Sequence, residues 1–202
     1  MPEFPVREVS SARSDEVTQV LAEAFSDYET MQYMLGGSGT SYSTALRTLV
    51  AYFVESHVAS HSPILGVSKG GSGELVAAAL VNRPSPSPEP VPAHSTDALG
   101  PDVIRRIHNF EAASSPLEPE FGFYYIGMIG VADEHRGQGY GRLIIDDVVD
   151  ASASDRESEG VLLTTENEAN VNYYQSIGFE ILGEATTEDG GLRSWTLFRS
   201  DD

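Results

Sequence analysis

The sequence predicts an α/β domain of the mixed-sheet kind, with a central β-sheet flanked by helices on both faces. Three observations carry this prediction. Phe123 to Val131 is a continuous apolar run of strand length, and a glycine loop then leads into an amphipathic stretch from Leu143. Beyond it the pattern continues as strand, helix and a closing hairpin, while the N-terminal half supplies helical stripes around a second hairpin. At 202 residues the chain is long enough for one substantial core, so a single domain over 1–202 is expected.

Taken in order, Val6 to Val9 reads as a first strand. Ser14 is placed to cap a helix whose first turn carries Asp15 and Glu16, and Val17, Val20, Leu21, Ala24 and Phe25 stripe it. Phe25 to Met34 is rich in aromatics and methionines, which suit either core packing or the lining of a substrate pocket. After Gly36, Gly37 and Gly39, a second helix is striped by Tyr42, Ala45, Leu46, Leu49 and Phe53. Pro63 to Val67 and Glu74 to Val81 form a hairpin through the turn Lys69 to Gly73. Prolines at every second position from Pro84 to Pro92 make residues 83–98 an exposed, polyproline-like loop within the domain. Pro101 to Phe110 is a helix with Val103, Ile104, Ile107 and Phe110 inward and Arg105 and Arg106 on its solvated face. The helix after the glycine loop carries Leu143, Ile144, Val148 and Ala151 on its apolar stripe. Val161 to Thr165 is a compact strand and Ala169 to Ser176 a short helix, followed by a hairpin of Phe179 to Glu184 with Leu192 to Phe198.

Composition excludes several classes. There is no cysteine, hence no thiol nucleophile and no cysteine metal site, and the five histidines show no metal spacing. With 31 acidic against 12 basic residues and Lys69 the only lysine, the surface repels nucleic acid and anionic membranes, so neither is an expected partner. The same balance fits either an acidic proteome adapted to salt or an arginine-preferring genome. The N-terminus lacks a leader pattern and no run approaches the ~20 apolar residues of a membrane span. A cytoplasmic protein is the expectation.

Chemistry concentrates in Arg136-Gly137-Gln138-Gly139-Tyr140-Gly141. The first turn of a helix has N–H groups without intrahelical partners and a partial positive charge, and is therefore an anion seat. Glycines keep side chains off the backbone there and Arg136 adds a cation. The loop lacks the Gly-Lys-Ser/Thr of a P-loop and the spacing of a dinucleotide fingerprint.

Arg136-x-x-Gly139-x-Gly141 after a glycine-bearing strand resembles the pyrophosphate loop of the GNAT superfamily of N-acetyltransferases. A second stretch, Glu166-Asn167 through Tyr173-Tyr174 to Gly178-Phe179, resembles the later signature of the same family. The resemblance covers Phe121 to the C-terminus. It implies the acyl-CoA N-acyltransferase fold and acetyl-CoA as acyl donor, with no metal. A central strand that splays from its neighbour would expose the backbone of Ile129, Gly130 and Val131 to the pantetheine arm and thioester, and Gly127 and Gly130 suit the required bulge. Arg136, Gly137, Gln138, Gly139, Tyr140 and Gly141 would hold the diphosphate, and Asn167 would bond the pantetheine or phosphate arm.

Acyl transfer to an amine needs a neutral nucleophile, oxyanion donors and a proton for the leaving thiolate. Tyr174, at the family's tyrosine position, is the candidate proton donor, against the reading of an aromatic packed beside cofactor; Tyr173 is expected in the core. Glu120, before the central strand, is either a base or a solvated strand end. The final Leu192-Arg193-Ser194-Trp195 hairpin is similar to branches that acetylate small amines. The implied function is acetyl transfer from acetyl-CoA to a primary amine of a small molecule. A peptide N-terminus, a protein lysine or a non-catalytic acyl-CoA-binding module remain alternatives, and a homodimer is compatible with each.

Overall fold

The computed structural model describes residues 4–37, 41–70, 73–84 and 99–201. Most of the proline-rich loop, including Pro86, Pro88, Pro90 and Pro92, lies outside these residues, as do Gly39 and part of the Lys69 to Gly73 turn.

The chain runs β1 (Val6–Glu8), α1 (Ser14–Ala24), α2 (Glu29–Leu35), α3 (Tyr42–Ala59), β2 (Ile64–Ser68), β3 (Leu75–Asn82), α4 (Pro101–Ser114) and β4 (Tyr124–Val131). It continues with α5 (Tyr140–Ser154), β5 (Gly160–Thr165), α6 (Glu168–Ser176), β6 (Glu180–Thr186) and β7 (Arg193–Ser200). The seven strands form one sheet in the order β1-β2-β3-β4-β5-β7-β6. Among the described residues only the β4–β5 pairing is parallel, bridged by α5, while the other neighbours are antiparallel hairpins or returns. Each face has its own core. Ile144, Ile145 and Val148 of α5 and Tyr174 of α6 pack with Ala77, Ala79 and Leu163. On the other face Leu21 of α1, Leu49 and Val50 of α3 and Ile107 of α4 pack with Ala78, Leu80 and Met128.

The predicted elements are present, with four corrections. Ser14 is the first residue of α1 rather than its cap; Ser10 caps a short 3-10 turn at Ser11–Arg13 that feeds α1. The buried stripe of α5 is Ile144, Ile145, Val148 and Ser152, with Ala151 exposed. That rotation follows from Ser152, whose hydroxyl is buried against Ser158 and Asp201 at 2.7 Å each, a polar anchor that hydrophobic periodicity does not register. Tyr173 is 42% exposed and not core, because α6 turns only Val171 and Tyr174 inward. Arg106 is not a solvated side chain: it donates to the Met34 carbonyl at 3.2 Å, tying α4 to the end of α2, while Arg105 pairs with Asp102 at the surface.

What positions the site is the irregularity of β4. Leu80 pairs with Met128 but Val81 with Ile126, so Gly127 is the extra residue of a β-bulge. Gly130 has a different task, since it pairs regularly with Ala78. A Cβ there would lie 2.6 Å from the Ala24 Cβ and 3.1 Å from Leu21 Cδ2, so its missing side chain lets α1 approach the strand. On its other edge β4 pairs with β5 only at Tyr124, Tyr125 and Ile126. From Gly127 onward the two strands part.

Candidate functional site

A cavity of about 760 Å³ opens at this parting, within the roughly 300–1,000 Å³ common for small-molecule sites. It draws on both cores, with Met31, Met34, Leu80 and Met128 from one and Ile126 and Tyr174 from the other. The backbone of β4 from Tyr125 to Val131 runs along its wall.

At one end the lining reaches Arg136, and the glycine loop follows directly after it, outside the lining itself. Gly137 and Gly139 have φ of +75° and +86°, and no atom lies within 4 Å of where a Cβ would stand. These glycines are required by backbone conformation, and the space beside them is open. Gly141 has ordinary φ and sits against Val131. Gly139 precedes α5 without supplying a side-chain cap. The N–H groups of Gly137 through Arg142 have no hydrogen-bond acceptor among the described residues; the first internal bond is Leu143 N–H to the Gly139 carbonyl at 3.0 Å. Those donors and the helix dipole point at solvent, as an anion seat requires.

The side chains of the loop do less than its backbone. Arg136 lines the cavity and is pinned by Asp133 at 2.7 Å and by the Ala24 carbonyl at 3.2 Å, so its charge is partly compensated. Gln138 bonds back to the Glu134 carbonyl. The Tyr140 ring packs against Phe4 and His135.

Asn167, expected to reach a ligand, spends its Oδ1 on the Ala169 N–H at 2.8 Å as the cap of α6. It still lines the cavity, leaving Nδ2 for other partners. Tyr174 is 8% exposed, rests on Phe179 and lines the cavity too, and burial pushes its hydroxyl well above the ordinary range, so it stays protonated. Ile129, Gly130 and Val131 all border the cavity.

Glu120 is exposed, precedes β4 by four residues and is not among the residues lining the cavity. The carboxylate that is there is Glu166, directly after β5 and 7% exposed. Burial, reinforced by the charge of Glu29, pushes it up to about 7 against the smaller pull of the Thr30 and Tyr28 hydroxyls. Around it lies a polar cluster. The Tyr28 hydroxyl meets Thr165 Oγ1 at 2.8 Å and accepts weakly from the Glu166 N–H at 3.4 Å, and Tyr125 meets Thr164 at 3.2 Å. Glu111 and Glu118 also line the wall, and desolvation raises both. His57 lines it with Nε2 unpartnered, and burial lowers its pKa, which favours the neutral ring. Trp195, by contrast, is in the core under the Arg193 guanidinium, 4.5 Å from its ring centroid, and does not line the cavity.

Of the residues the sequence singled out, the structure brings Ile129, Gly130, Val131, Arg136, Asn167 and Tyr174 to one cavity; Gly137, Gln138, Gly139, Tyr140 and Gly141 follow Arg136 beyond its lining, and Glu120 is outside it. Missed were Glu166, Tyr125 and His57. The usable signal was the position of Glu166 beside the motif asparagine at a strand's end, where side chains of open sheets reach a crevice.

A parallel strand pair that opens at a bulge, with an uncapped helix beyond its glycine loop, defines the acyl-CoA N-acyltransferase architecture. A family model described as an acetyltransferase (GNAT) domain matches residues 106–181. Over those residues the chain matches the GNAT acetyltransferase domain, and the whole chain has the fold of solved acetyltransferases. In fold it is similar to a solved protein of Corynebacterium glutamicum described as histone acetyltransferase HPA2 and related acetyltransferase, at 21% identity, 98% and 96% coverage of the two chains and a TM-score of 0.71. Arylalkylamine N-acetyltransferase 2 of Aedes aegypti superposes with a TM-score of 0.69 at 13% identity, covering 98% of this chain and 99% of that one. The C-terminal condensation domain of Ebony, solved with beta-alanyl-dopamine, gives 0.69 at 14% identity over 99% and 100%. No described helix is long and apolar enough to cross a membrane.

Proposed function

We propose that the protein transfers an acetyl group from acetyl-CoA to a primary amine of a small molecule with an apolar body. The observation that carries the reading is the run of N–H groups at 137–142, unpaired among the described residues, directly after Arg136, which lines a cavity that also contains a protonated tyrosine. An acyl-CoA fits such a cleft. The open space beside Gly137 and Gly139 suits a diphosphate, with Arg136 as counter-charge. Gln138, Tyr140 and Gly141 contribute backbone, and Asn167 contributes Nδ2 to the pantetheine arm. The parted edge of β4 offers Ile129 and Val131 to the pantetheine amides and an N–H near Gly130 to the oxyanion. Tyr174, buried and neutral, donates the proton that the leaving thiolate takes up.

The acceptor's character follows from the remaining wall. Phe25, Met31, Met34, Phe53 and Phe110 are apolar, while the charged groups away from Arg136 are carboxylates. Such a wall favours a cation with a hydrophobic body over a peptide main chain, whose amides would find few partners. The arylalkylamine substrates named for the Aedes fold neighbour, and the amide in the Ebony complex, are of that kind.

The test is thiol release from acetyl-CoA across a panel of amines: 2-phenylethylamine, ethanolamine, and peptides bearing a free N-terminus or a lysine. Release with the aromatic amine, and a fall of about 10²-fold or more in kcat for Tyr174→Phe, is the expected result. Coenzyme A binding without thiol release to any acceptor would make the protein a binding module, and preference for peptides would overturn the small-molecule reading.

A further inference from the structure

We propose that Glu166 receives the acceptor's ammonium group and takes its proton, making the amine nucleophilic where β4 and β5 part. The inference rests on the acetyl-transfer reading above and adds the group that reading lacks.

Placement comes first. Glu166 sits between the last residue of β5 and the capping Asn167 of α6, so its backbone is fixed on both sides. It borders the cavity together with Tyr174, the donor for the leaving group. Its Oε1 is buried and has no hydrogen-bond partner among the described residues. A buried carboxylate oxygen without a donor is costly, and native proteins rarely keep one without a use for it. An ammonium group, with three donors and a positive charge, is the complement.

Among the described residues no fixed cation competes for it. The groups that act on Glu166 are the Tyr28 and Thr30 hydroxyls and the Glu29 carboxylate from the segment at α2, while Tyr125 of β4 and Tyr174 of α6 feel its charge in turn. All are neutral or acidic. Arg136, the only arginine or lysine lining the cavity among the described residues, is engaged by Asp133. With burial holding the carboxyl at about 7, it is ionised often enough near neutrality to attract an ammonium and basic enough to deprotonate it.

The step balances. One ammonium proton passes to Glu166, and the freed lone pair forms the C–N bond at the carbonyl carbon of the acyl-CoA thioester. The tetrahedral adduct collapses as the C–S bond breaks and sulfur leaves with the electron pair. Sulfur takes the Tyr174 proton, the second nitrogen proton returns through solvent to the Tyr174 oxygen, and Glu166 releases its proton to water. The products are the amide, the free thiol and one proton.

Two measurements test this. In wild type, kcat/KM is measured against pH for apolar amines of widely different basicity. An acid limb that stays near pH 7 for every amine is expected; a limb that follows each amine's own pKa overturns the proposal without any variant. In Glu166→Gln, kcat/KM should fall about 10²–10⁴-fold and the limb near 7 should vanish, with coenzyme A affinity by calorimetry unchanged. The infrared band of a protonated carboxyl that titrates near 7 should disappear with it. Glu166→Gln with wild-type rate and profile refutes the role of Glu166 and leaves acetyl transfer standing. Wild type without thiol release to any amine refutes the transfer reading itself.

Discussion

The glycine loop and the Glu166 end of the neighbouring cavity are built by opposite means. At the glycine loop the functional groups are backbone N–H donors, solvent-facing and positive in sum, made available because a helix begins without a cap. At the Glu166 end they are side chains, desolvated and negative, brought together from the segment at α2, from β4, from the end of β5 and from α6. An anion can be held in water by many preorganised dipoles. A proton acceptor must be taken out of water before its basicity is useful.

The largest test of this contrast is thermodynamic. A carboxyl whose folded pKa is raised to about 7 binds a proton that the unfolded chain has released above about 4.5, so stability falls as pH rises through that window. Glu166→Gln should therefore gain stability over wild type at pH 9 relative to pH 5, on the order of 3 kcal/mol, read from denaturant unfolding at the two pH values. An unchanged difference would mean the carboxylate is solvated.

At the loop the corresponding change is Gly139→Val, which places a β-branched residue at φ +86°. A cost of about 1–2 kcal/mol in stability and a measurable loss of coenzyme A affinity are expected, against little effect on the infrared signature of Glu166. Next in size is Asn167→Ala. Removing the Oδ1 cap of α6 should cost about 1 kcal/mol in unfolding free energy, and a loss of coenzyme A affinity beyond the drop in folded fraction would show that Nδ2 also serves the ligand. The smallest effect is expected from Arg136→Gln. Because Asp133 already compensates that guanidinium, affinity should fall only a few-fold and its salt dependence should become shallower.

The same contrast explains what was legible in the sequence. The loop end is local: a strand, three glycines and an amphipathic helix follow one another from Tyr124 to Ser154, and each residue type states its backbone requirement. Tyr174 and Asn167 were legible for the same reason. The other end is assembled across long sequence separations, as when the Tyr28 hydroxyl meets Thr165, and nothing near Glu166 in the chain announces Tyr28 or Glu29. Glu120 was chosen because it stands close to the strand in sequence, yet the strand begins only at Tyr124 and its carboxylate is in solvent. Seven-residue α2 escaped because it is too short for a periodic signal, and the solvent exposure of Tyr173 escaped because adjacent aromatics on a helix cannot share a face.

The extra residue at Gly127 also acts as a phase shifter. Before it, Tyr124 and Ile126 belong to the α5 side of the sheet; after it, Met128 belongs to the opposite side, and Ile129 and Val131 take over on the first. Without the bulge, Gly127 would take an ordinary place in the ladder and everything between it and the loop would change sides, turning Ile129 and Val131 toward α1 and carrying Gly130 out of the gap that α1 needs. Deleting the glycine would instead leave Ile126 and Met128 as consecutive partners of Val81 and Leu80, with every side kept.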